Sequence, residues 1–555
     1  MTVSASVDDQ GTPARAGGRG MAESLRGWAT ASDTNWRFRI FAVALVVFVG
    51  LIWVGTDGHP DHPITLGVVK GMVADGLNVG RWDLHDMPFL FDYAQYNFTG
   101  YHTTLAHIFS VLGLEVTPQR LSQVNLVFFL GALGVAAGRF GVPWRYALFA
   151  ALCVTNVLLV QDSGFFRAEN FVLLLLAVVL VPMSTPRLMP TARTGGASAG
   201  EWSTAQIGTL LAMSMATGLL MSTKASFGIL PVLVIAGVVY AGIKQGGGVS
   251  WQRVGAWCAA FAFLTGVGLY IGNPNALLDR ESLLGGIKAL QMAYSTGTLP
   301  SLPDTFVTGP GSMPHGTGDS GMPLRNLLHA THVTVATTGI LVFAGLWLGW
   351  RRGRPQERVV AVGFFLLWLY FSTRGLFVVR NTNFIMFWAI LMIALYLRPG
   401  RDGGDRVLGA AVLASALLSL VNTFLLTSMF RSTSHLDRHL AIRDAVAQEY
   451  RVTDVLLATY SDYMYPGGLE AFVDEARDEM GATPFLIEIA GPSFPAQERL
   501  IETWSKESGW VLAGEVRTAF PHVPPSGLHV YTSPGSTLWG PREFVERHRA
   551  SEGSR

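Results

Sequence analysis

The chain has little charge and almost no cysteine. Only 14% of its 555 residues are Asp, Glu, Lys or Arg and 50% are hydrophobic, whereas the charged fraction of soluble proteins is about a quarter. An ordinary soluble protein is therefore excluded. The 40 Lys and Arg nearly balance the 39 Asp and Glu, so no overall basicity argues for a nucleic-acid partner. Composition indicates a polytopic membrane protein whose natural partner is the lipid bilayer.

The scarcity of cysteine excludes a second set of functions. Cys153 and Cys258 are the two cysteines, and each lies inside an apolar run. Two isolated cysteines in such runs do not fit a disulfide framework or a thiolate metal site. Burial against other apolar side chains is the usual environment of such a residue.

The sequence contains many long apolar runs. A helix needs about 17 to 25 residues to cross a bilayer, and about eleven runs approach that length. The first is at 40–55, and the others lie near 121–138, 144–161, 168–184, 205–222, 226–243, 253–271, 333–350, 359–373, 382–397 and 407–428. We therefore predict an α-helical polytopic membrane protein with about eleven transmembrane helices.

Arginine and lysine cluster in alternate connections between these runs, as the positive-inside rule requires of cytoplasmic loops. The residues are Arg139, Arg145, Arg187, Arg193, Lys244, Arg253, Arg351, Arg352, Arg354, Arg358, Arg398, Arg401 and Arg406. This pattern predicts a cytoplasmic N-terminus and an extracytoplasmic C-terminus in the cell membrane.

Composition divides the chain into three parts. Residues 1–36 lack apolar periodicity and a signal-peptide core, so we expect a disordered cytoplasmic tail. Residues 37–430 form the predicted membrane domain, with long outer loops at 56–120 and 272–332. Residues 431–555 carry charges throughout, and short apolar runs at 455–460 and 485–490 alternate with helical patterns. That alternation predicts a small extracytoplasmic α/β domain.

Charged residues near the apolar runs concentrate at the predicted outer ends. They are Asp57, Asp61, Arg167, Glu169, Lys224, Arg374 and Arg380. Ionisable groups at membrane depth are costly and commonly mark a site. Simpler roles remain open: the cations could anchor helix ends at headgroups, Asp57 and Asp61 could cap a helix or close a turn, and Glu169 could pair with Arg167 or cap its own helix.

The segment directly after the first run carries a family resemblance. It reads TDGHPDHPITLGVVKGMVADG (56–76) and is followed by the aromatic stretch FLFDYAQYNFTGYH (89–102). A carboxylate outside the first helix, an amphipathic helix and then an aromatic segment resembles the first outer loop of the GT-C membrane glycosyltransferases. Within them, the similar group contains protein O-mannosyltransferases and lipid A aminoarabinose transferases. Those proteins typically have Asp-Glu where this chain has Asp61 and His62.

Three further stretches resemble family motifs: SGFFRAENF (163–171), STKASFG (222–228) and LFVVRNTNF (376–384). The resemblance implies a GT-C fold and transfer of a sugar from a polyprenyl-phosphate donor to a glycan, lipid or protein acceptor. The implied reaction is an inverting displacement. Its implied base is Asp61, with Asp57 as the second choice, while Glu169 orients the base or the acceptor. Arg167, Lys224 and Arg380 are the implied cations for the donor phosphate.

A metal site is not assigned. His59, Asp61, His62, His85 and Asp86 carry suitable ligand atoms, but their spacing matches no recognised ligand pattern. A divalent cation stays a candidate cofactor because some GT-C members use one.

Other functions remain open from the sequence. A transporter or flippase of lipid-linked glycans would carry charges along a path through the bilayer and often internal symmetry, and the predicted mid-span positions carry almost no charge. A glycan polymerase or ligase is also open, since Arg325, His329 and His332 lie in the late outer region. A noncatalytic assembly protein would need none of the outer charges.

Overall fold

The structure, a computed structural model, describes a defined set of residue ranges. These are 35–52, 61–74, 99–161, 168–185, 188–191, 202–246, 249–274, 323–374, 382–398, 403–432, 447, 455–458, 483–490, 510–517 and 535–552. Residues 1–34 of the expected tail, 56–60 and 75–98 of the first outer loop, and 275–322 of the second lie outside these ranges. Asp57, Arg167 and Arg380 also lie outside them.

Most described residues belong to apolar helices with ordinary start signals. Thr117 accepts a hydrogen bond from the N–H of Arg120, and Pro118 occupies the first turn, where a missing N–H costs nothing. Ser203 and Gln206 form a reciprocal capping box. The described helices are α1 (Asn35–Ile52), α2 (Asp61–Ala74), α3 (Gly100–Leu112), α4 (Pro118–Ala137), α5 (Pro143–Thr155), α6 (Val157–Gln161), α7 (Ala168–Met183), α8 (Thr204–Thr223), α9 (Leu230–Gln245), α10 (Trp251–Gly272), α11 (Pro323–Thr338), α12 (Leu341–Arg352), α13 (Pro355–Ser372), α14 (Asn383–Tyr396) and α15 (Gly403–Ser432).

Several of these helices are long and apolar enough to cross a bilayer. Among the described residues there are five: Pro118–Ala137, Thr204–Thr223, Ser226–Gln245, Trp251–Gly272 and Gly403–Phe424. The pair Asn326–Thr338 and Leu341–Arg352, bent by 97°, would make a sixth if it forms one broken span. The chain is therefore a multi-pass membrane protein, as predicted. The total of about eleven spans stays a prediction.

The arginine-rich helix ends meet at one end of the helix bundle. Arg139, after α4, places Nη2 3.6 Å from Oε1 of Glu357 in the first turn of α13. Arg253 in α10 donates from Nη2 to Oε1 of Gln206 in α8, at 2.5 Å. Gln206 in turn donates to the carbonyl oxygen of Met189, after α7, at 3.3 Å. We call this end of the bundle the arginine end.

Small residues let helices approach closely inside the bundle. A Cβ on Gly218 of α8 would collide with the backbone of α10 at Thr265, Gly268 and Leu269. A Cβ on Gly345 of α12 would collide with Ala389 of α14. Backbone-to-backbone contact of this kind is typical of membrane helix pairs. It fixes α8 to α10 and α12 to α14.

The C-terminal part contains a four-stranded mixed sheet in the order β1-β2-β4-β3. The strands are β1 (Val455–Ala458), β2 (Thr483–Ala490), β3 (Trp510–Arg517) and β4 (Gly535–Pro541). β1 pairs parallel with β2, while β4 pairs antiparallel with both β2 and β3. Helix α16 (Arg542–Glu552) follows β4 directly and contacts β3 and β4. Strands β1 and β2 fall on the two apolar runs noted at 455–460 and 485–490.

Candidate functional site

A buried ion pair joins two of the predicted site residues. Glu169 lies in the first turn of α7 and is 3% exposed. Its Oε1 is 2.8 Å from Nζ of Lys224, whose side chain is 27% exposed. The sequence suggested Arg167 as a partner for Glu169, but Arg167 lies outside the described residues. The structure brings Lys224 to Glu169 across 55 positions of sequence, and pairing with Arg167 stays a prediction.

The backbone at Lys224 explains how the lysine reaches this position. Helix α8 ends at Thr223, and a 3-10 helix (Ala225–Ile229) begins directly after Lys224. Lys224 itself is extended, with φ −149° and ψ 131°, and its N–H still donates to the carbonyl of Leu220. A side chain at such a break does not point in the direction that it would have if the helix continued. The ammonium therefore turns toward the start of α7.

Three helix ends are held together beside Lys224. The hydroxyl of Thr99, before α3, donates to the carbonyl oxygen of Gly272, the last residue of α10, at 2.8 Å. Gly100 lies so close to Ser222 and Thr223 that a Cβ there would collide with them. The start of α3 and the ends of α8 and α10 thus form a fixed frame around the break at Lys224.

Apolar and amide groups lie next to the ion pair. Asn170 is buried and donates from Nδ2 to the carbonyl oxygen of Asn125 in α4, at 3.3 Å. The ring of Phe171 lies 6.0 Å from that of Tyr101 and 5.1 Å from that of Phe128. The pair therefore sits at the border of a low-dielectric region, where charge interactions are stronger than in water.

The ion pair lies at the end of the bundle opposite the arginine end. Helix α8 begins beside Arg253 and finishes at Thr223, directly before Lys224. Helix α7 begins beside Glu169 and finishes next to Ser184, whose carbonyl oxygen accepts from Arg354. Two antiparallel helices thus separate the site from the arginine end. The described ion pairs follow this division: Glu169 with Lys224 at one end, and Arg139 with Glu357 and Arg352 with Asp405 at the other.

The remaining predicted residues divide into three groups. Arg374 is described after α13, with its guanidinium 4.1 Å from the ring centroid of Tyr370. Asp61 is the first residue of α2, which packs on α3, but its side chain lies outside the described residues. Asp57, Arg167 and Arg380 are outside them altogether.

The candidate metal ligands are also mostly undescribed. His59, His85 and Asp86 lie outside the described residues, and for His62 only the backbone is described. Among the side chains that are described, no three His, Cys, Asp or Glu residues converge as metal ligands.

Sequence reasoning missed a second buried carboxylate, Glu357, at the arginine end. It is fully buried and accepts hydrogen bonds from the N–H of Arg354, at 2.6 Å, and from the hydroxyl of Tyr396. Arg139 approaches its other oxygen. The signal that could have revealed it is local: Arg354, Pro355 and Glu357 form a capping-box start for α13.

We predict that Glu357→Ala destabilises the folded protein by about 3 to 5 kcal/mol, because removing one member of a buried charge network leaves the others unpaired. The free energy of unfolding is measured by denaturant titration in detergent micelles. Glu115→Ala removes an exposed glutamate and should change it by less than about 0.5 kcal/mol. Equal stability of the two variants would show that the network around Glu357 contributes nothing.

Comparison with known proteins gives matches in structure only. No protein-family profile matches the sequence, and a search of curated proteins found no match. ArnT from Cupriavidus metallidurans in the apo state is similar over 93% of this chain and 99% of its own, with 14% identity and a TM-score of 0.45.

Two structures of an archaeal oligosaccharyltransferase from Archaeoglobus fulgidus are similar as well. AglB in complex with an inhibitory peptide and a dolichol-phosphate matches over 81% of this chain and 69% of its own, with 11% identity and a TM-score of 0.44. The enzyme tethered to an acceptor peptide matches over 83% and 70%, with 12% identity and a TM-score of 0.40. These matches are of the kind that the sequence resemblance predicts.

Proposed function

We propose that this chain is an integral-membrane glycosyltransferase. It transfers a sugar from a polyprenyl-phosphate donor to an envelope glycan, lipid or protein acceptor, at the end of the bundle that contains Glu169 and Lys224. The observation that carries the proposal is the buried ion pair between these two residues, at the end opposite the arginine end.

Stability alone does not account for this ion pair. Burying a carboxylate with an ammonium costs several kcal/mol in desolvation for each ion, and apolar residues of similar volume often stabilise a protein equally well or better. Ionisable groups within membrane segments are mostly retained for a site or a path. Lys224 keeps 27% of its side chain exposed, so the ion pair lies at an accessible border of the bundle.

The reaction of a polyprenyl-phosphate donor needs a fixed cation, and Lys224 can provide one. When the glycosidic bond to the lipid phosphate breaks, negative charge develops on the phosphate oxygen. A cation already fixed in a region of low dielectric stabilises that charge without reorganisation. Lys224 is held at a backbone break between three helix ends, which gives it a fixed position. Arg167 and Arg380 are further proposed cations.

The other half of the reaction needs a base. In the proposed displacement, the acceptor hydroxyl oxygen attacks the anomeric carbon, the bond from that carbon to the phosphate oxygen breaks, and the hydroxyl proton passes to Asp61. The lipid phosphate leaves, and the anomeric configuration inverts. Support comes from the resemblance of the loop around Asp61 and from packing, since α2 lies on α3 and α3 starts against Ser222 and Thr223.

The orientation in the membrane belongs to the same proposal. The described arginine contacts collect at one end of the bundle, which the positive-inside rule assigns to the cytoplasm. The site then faces the outside, together with the domain at 431–555. A cysteine introduced at Ser551 should react with a membrane-impermeant maleimide in intact cells. Reaction only after permeabilisation would contradict this orientation.

We predict that Glu169→Gln lowers kcat for sugar transfer by about 10²-fold, the scale expected when a reacting group is displaced by about an ångström. The amide cannot hold the lysine by charge, but it leaves the ammonium available to the donor phosphate. The donor KM should therefore not rise. Initial rates over a range of donor concentrations measure both quantities.

Glu115→Gln is the matched control, because it neutralises an exposed glutamate of the same membrane domain. Its rates should equal those of the wild type. If Glu169→Gln raises the donor KM and leaves kcat unchanged, Glu169 does not hold Lys224 in position for the leaving phosphate.

A further inference from the structure

At the arginine end, three helix ends meet around one side chain. Arg352, the last residue of α12, donates from Nη1 to the carbonyl oxygen of Tyr396, the last residue of α14, at 3.1 Å. Its Nη2 pairs with Asp405 in the first turn of α15. The guanidinium also lies 5.9 Å from the ring centroid of Trp347. Arg352 therefore joins α12, α14 and α15 at the border of the bundle.

Three exposed arginines flank this junction, one on each helix end. They are Arg351, Arg398 and Arg406, and we call them the arginine rim. Within the described part of the chain, none of the three has a hydrogen-bond or ion-pair partner. The three rim arginines and Arg352 carry four positive charges, and Asp405 carries one negative charge. The sum over these five residues is +3. Among the described residues, the rim and its junction thus carry an excess of positive charge.

Apolar surface continues directly from the rim along the bundle. Trp347 and Trp350 are 47% and 53% exposed on the face of α12 that also carries Arg351. On α15, Val407 follows Arg406 and is 71% exposed, and further exposed apolar side chains continue along the helix. They are Leu413, Leu417, Leu418, Val421 and Phe424. A ligand that fits this surface has an anionic head and apolar tails.

We propose that the arginine rim binds the headgroup of an acidic phospholipid, whose acyl chains lie along the exposed apolar side chains of α15. Exposed tryptophans beside the rim fit the headgroup level of a bilayer, where such side chains are enriched. The phosphodiester supplies negative charge to three guanidinium groups that have no ion-pair partner among the described residues, and planar guanidinium groups bind phosphate oxygens in pairs. A phospholipid can place its head at the rim and its tails on the adjoining apolar surface at the same time, which a soluble anion cannot do.

The test is native mass spectrometry of the full-length protein in maltoside micelles, titrated with phosphatidylglycerol, phosphatidylcholine or inorganic phosphate. We expect phosphatidylglycerol to remain bound and the other two to be lost. Replacing Arg351, Arg398 and Arg406 together by Gln should weaken phosphatidylglycerol binding by about fivefold for each arginine lost. Equal retention of phosphatidylcholine, or retention of inorganic phosphate, would overturn the assignment to an acidic lipid.

Two controls separate this result from general damage. Lys244→Gln removes an exposed cation of α9 outside the rim and should leave phosphatidylglycerol binding unchanged. Replacing the three arginines by Lys keeps the charge, and with it the orientation in the membrane, and should retain most of the affinity. An equal loss of binding in the Lys, Gln and Lys244→Gln proteins would overturn the rim as the binding site.

Discussion

Lys224→Ala is expected to lower the rate of sugar transfer by about 10²- to 10³-fold, the usual effect of removing one fixed group that stabilises a developing negative charge. The loss should appear in kcat, because the charge on the leaving phosphate is greatest in the transition state. The donor KM should also rise, since the ground-state phosphate already carries charge. Rates at several donor concentrations, in membranes with matched protein levels, measure both effects.

Lys244→Ala is the matched control for this prediction. Lys244 is also a lysine near the end of an apolar helix, but it is exposed, and its ammonium lies 5.6 Å from the ring centroid of Tyr240. It has no role in the proposed reaction, so its loss should leave transfer unchanged. If both lysine variants retain wild-type rates, Lys224 does not bind the leaving phosphate.

Asp61→Asn should cause the second large loss, about 10²- to 10⁴-fold in kcat, as is typical when a general base is removed. An amide of nearly the same shape cannot accept the hydroxyl proton, so the donor KM should change little. Asp57→Asn, measured in parallel, distinguishes the two carboxylates of the first outer loop. Only the variant that removes the base should lose activity on this scale.

The acidity of the acceptor hydroxyl provides a further check on Asp61. A more acidic acceptor hydroxyl needs less help from a base, so Asp61→Asn should lose less activity with such an acceptor than with the ordinary one. If the loss is the same for both acceptors, the role of Asp61 as a base is wrong, and a role in binding is favoured.

The membrane character could be predicted from sequence, because apolar length is a local property. A charge beside an apolar run is also local, and it made Glu169 and Lys224 candidates. Their contact could not be predicted. The two residues are 55 positions apart, and contact depends on how α7 packs against α8 and on the extended backbone at Lys224. Arg167, two positions from Glu169, was the natural partner to expect from sequence alone.

Glu357 shows a different limit of sequence reasoning. It stands in the run RRGRPQER (351–358), where a glutamate among arginines is usually a solvated residue of a charged loop. Its burial follows from the approach of Tyr396 and Arg139, which come from distant helices. The arginines that define the positive-inside pattern lie in alternate connections, and the described contacts gather those helix ends at one end of the bundle. The membrane orientation that this pattern favours stays a prediction.

The most direct measurement is the transfer of radiolabelled sugar from a panel of synthetic polyprenyl-phosphate monosaccharides. Membranes contain the wild type, Lys224→Ala or Lys244→Ala at equal levels. The envelope glycan profile of the same cells is recorded as a second readout. We predict labelling that depends on one donor, is present with the wild type and Lys244→Ala, and is lost with Lys224→Ala, with a matching change in the glycan profile. Labelling and glycan profiles that are the same in all three would contradict a glycosyltransferase site at Lys224.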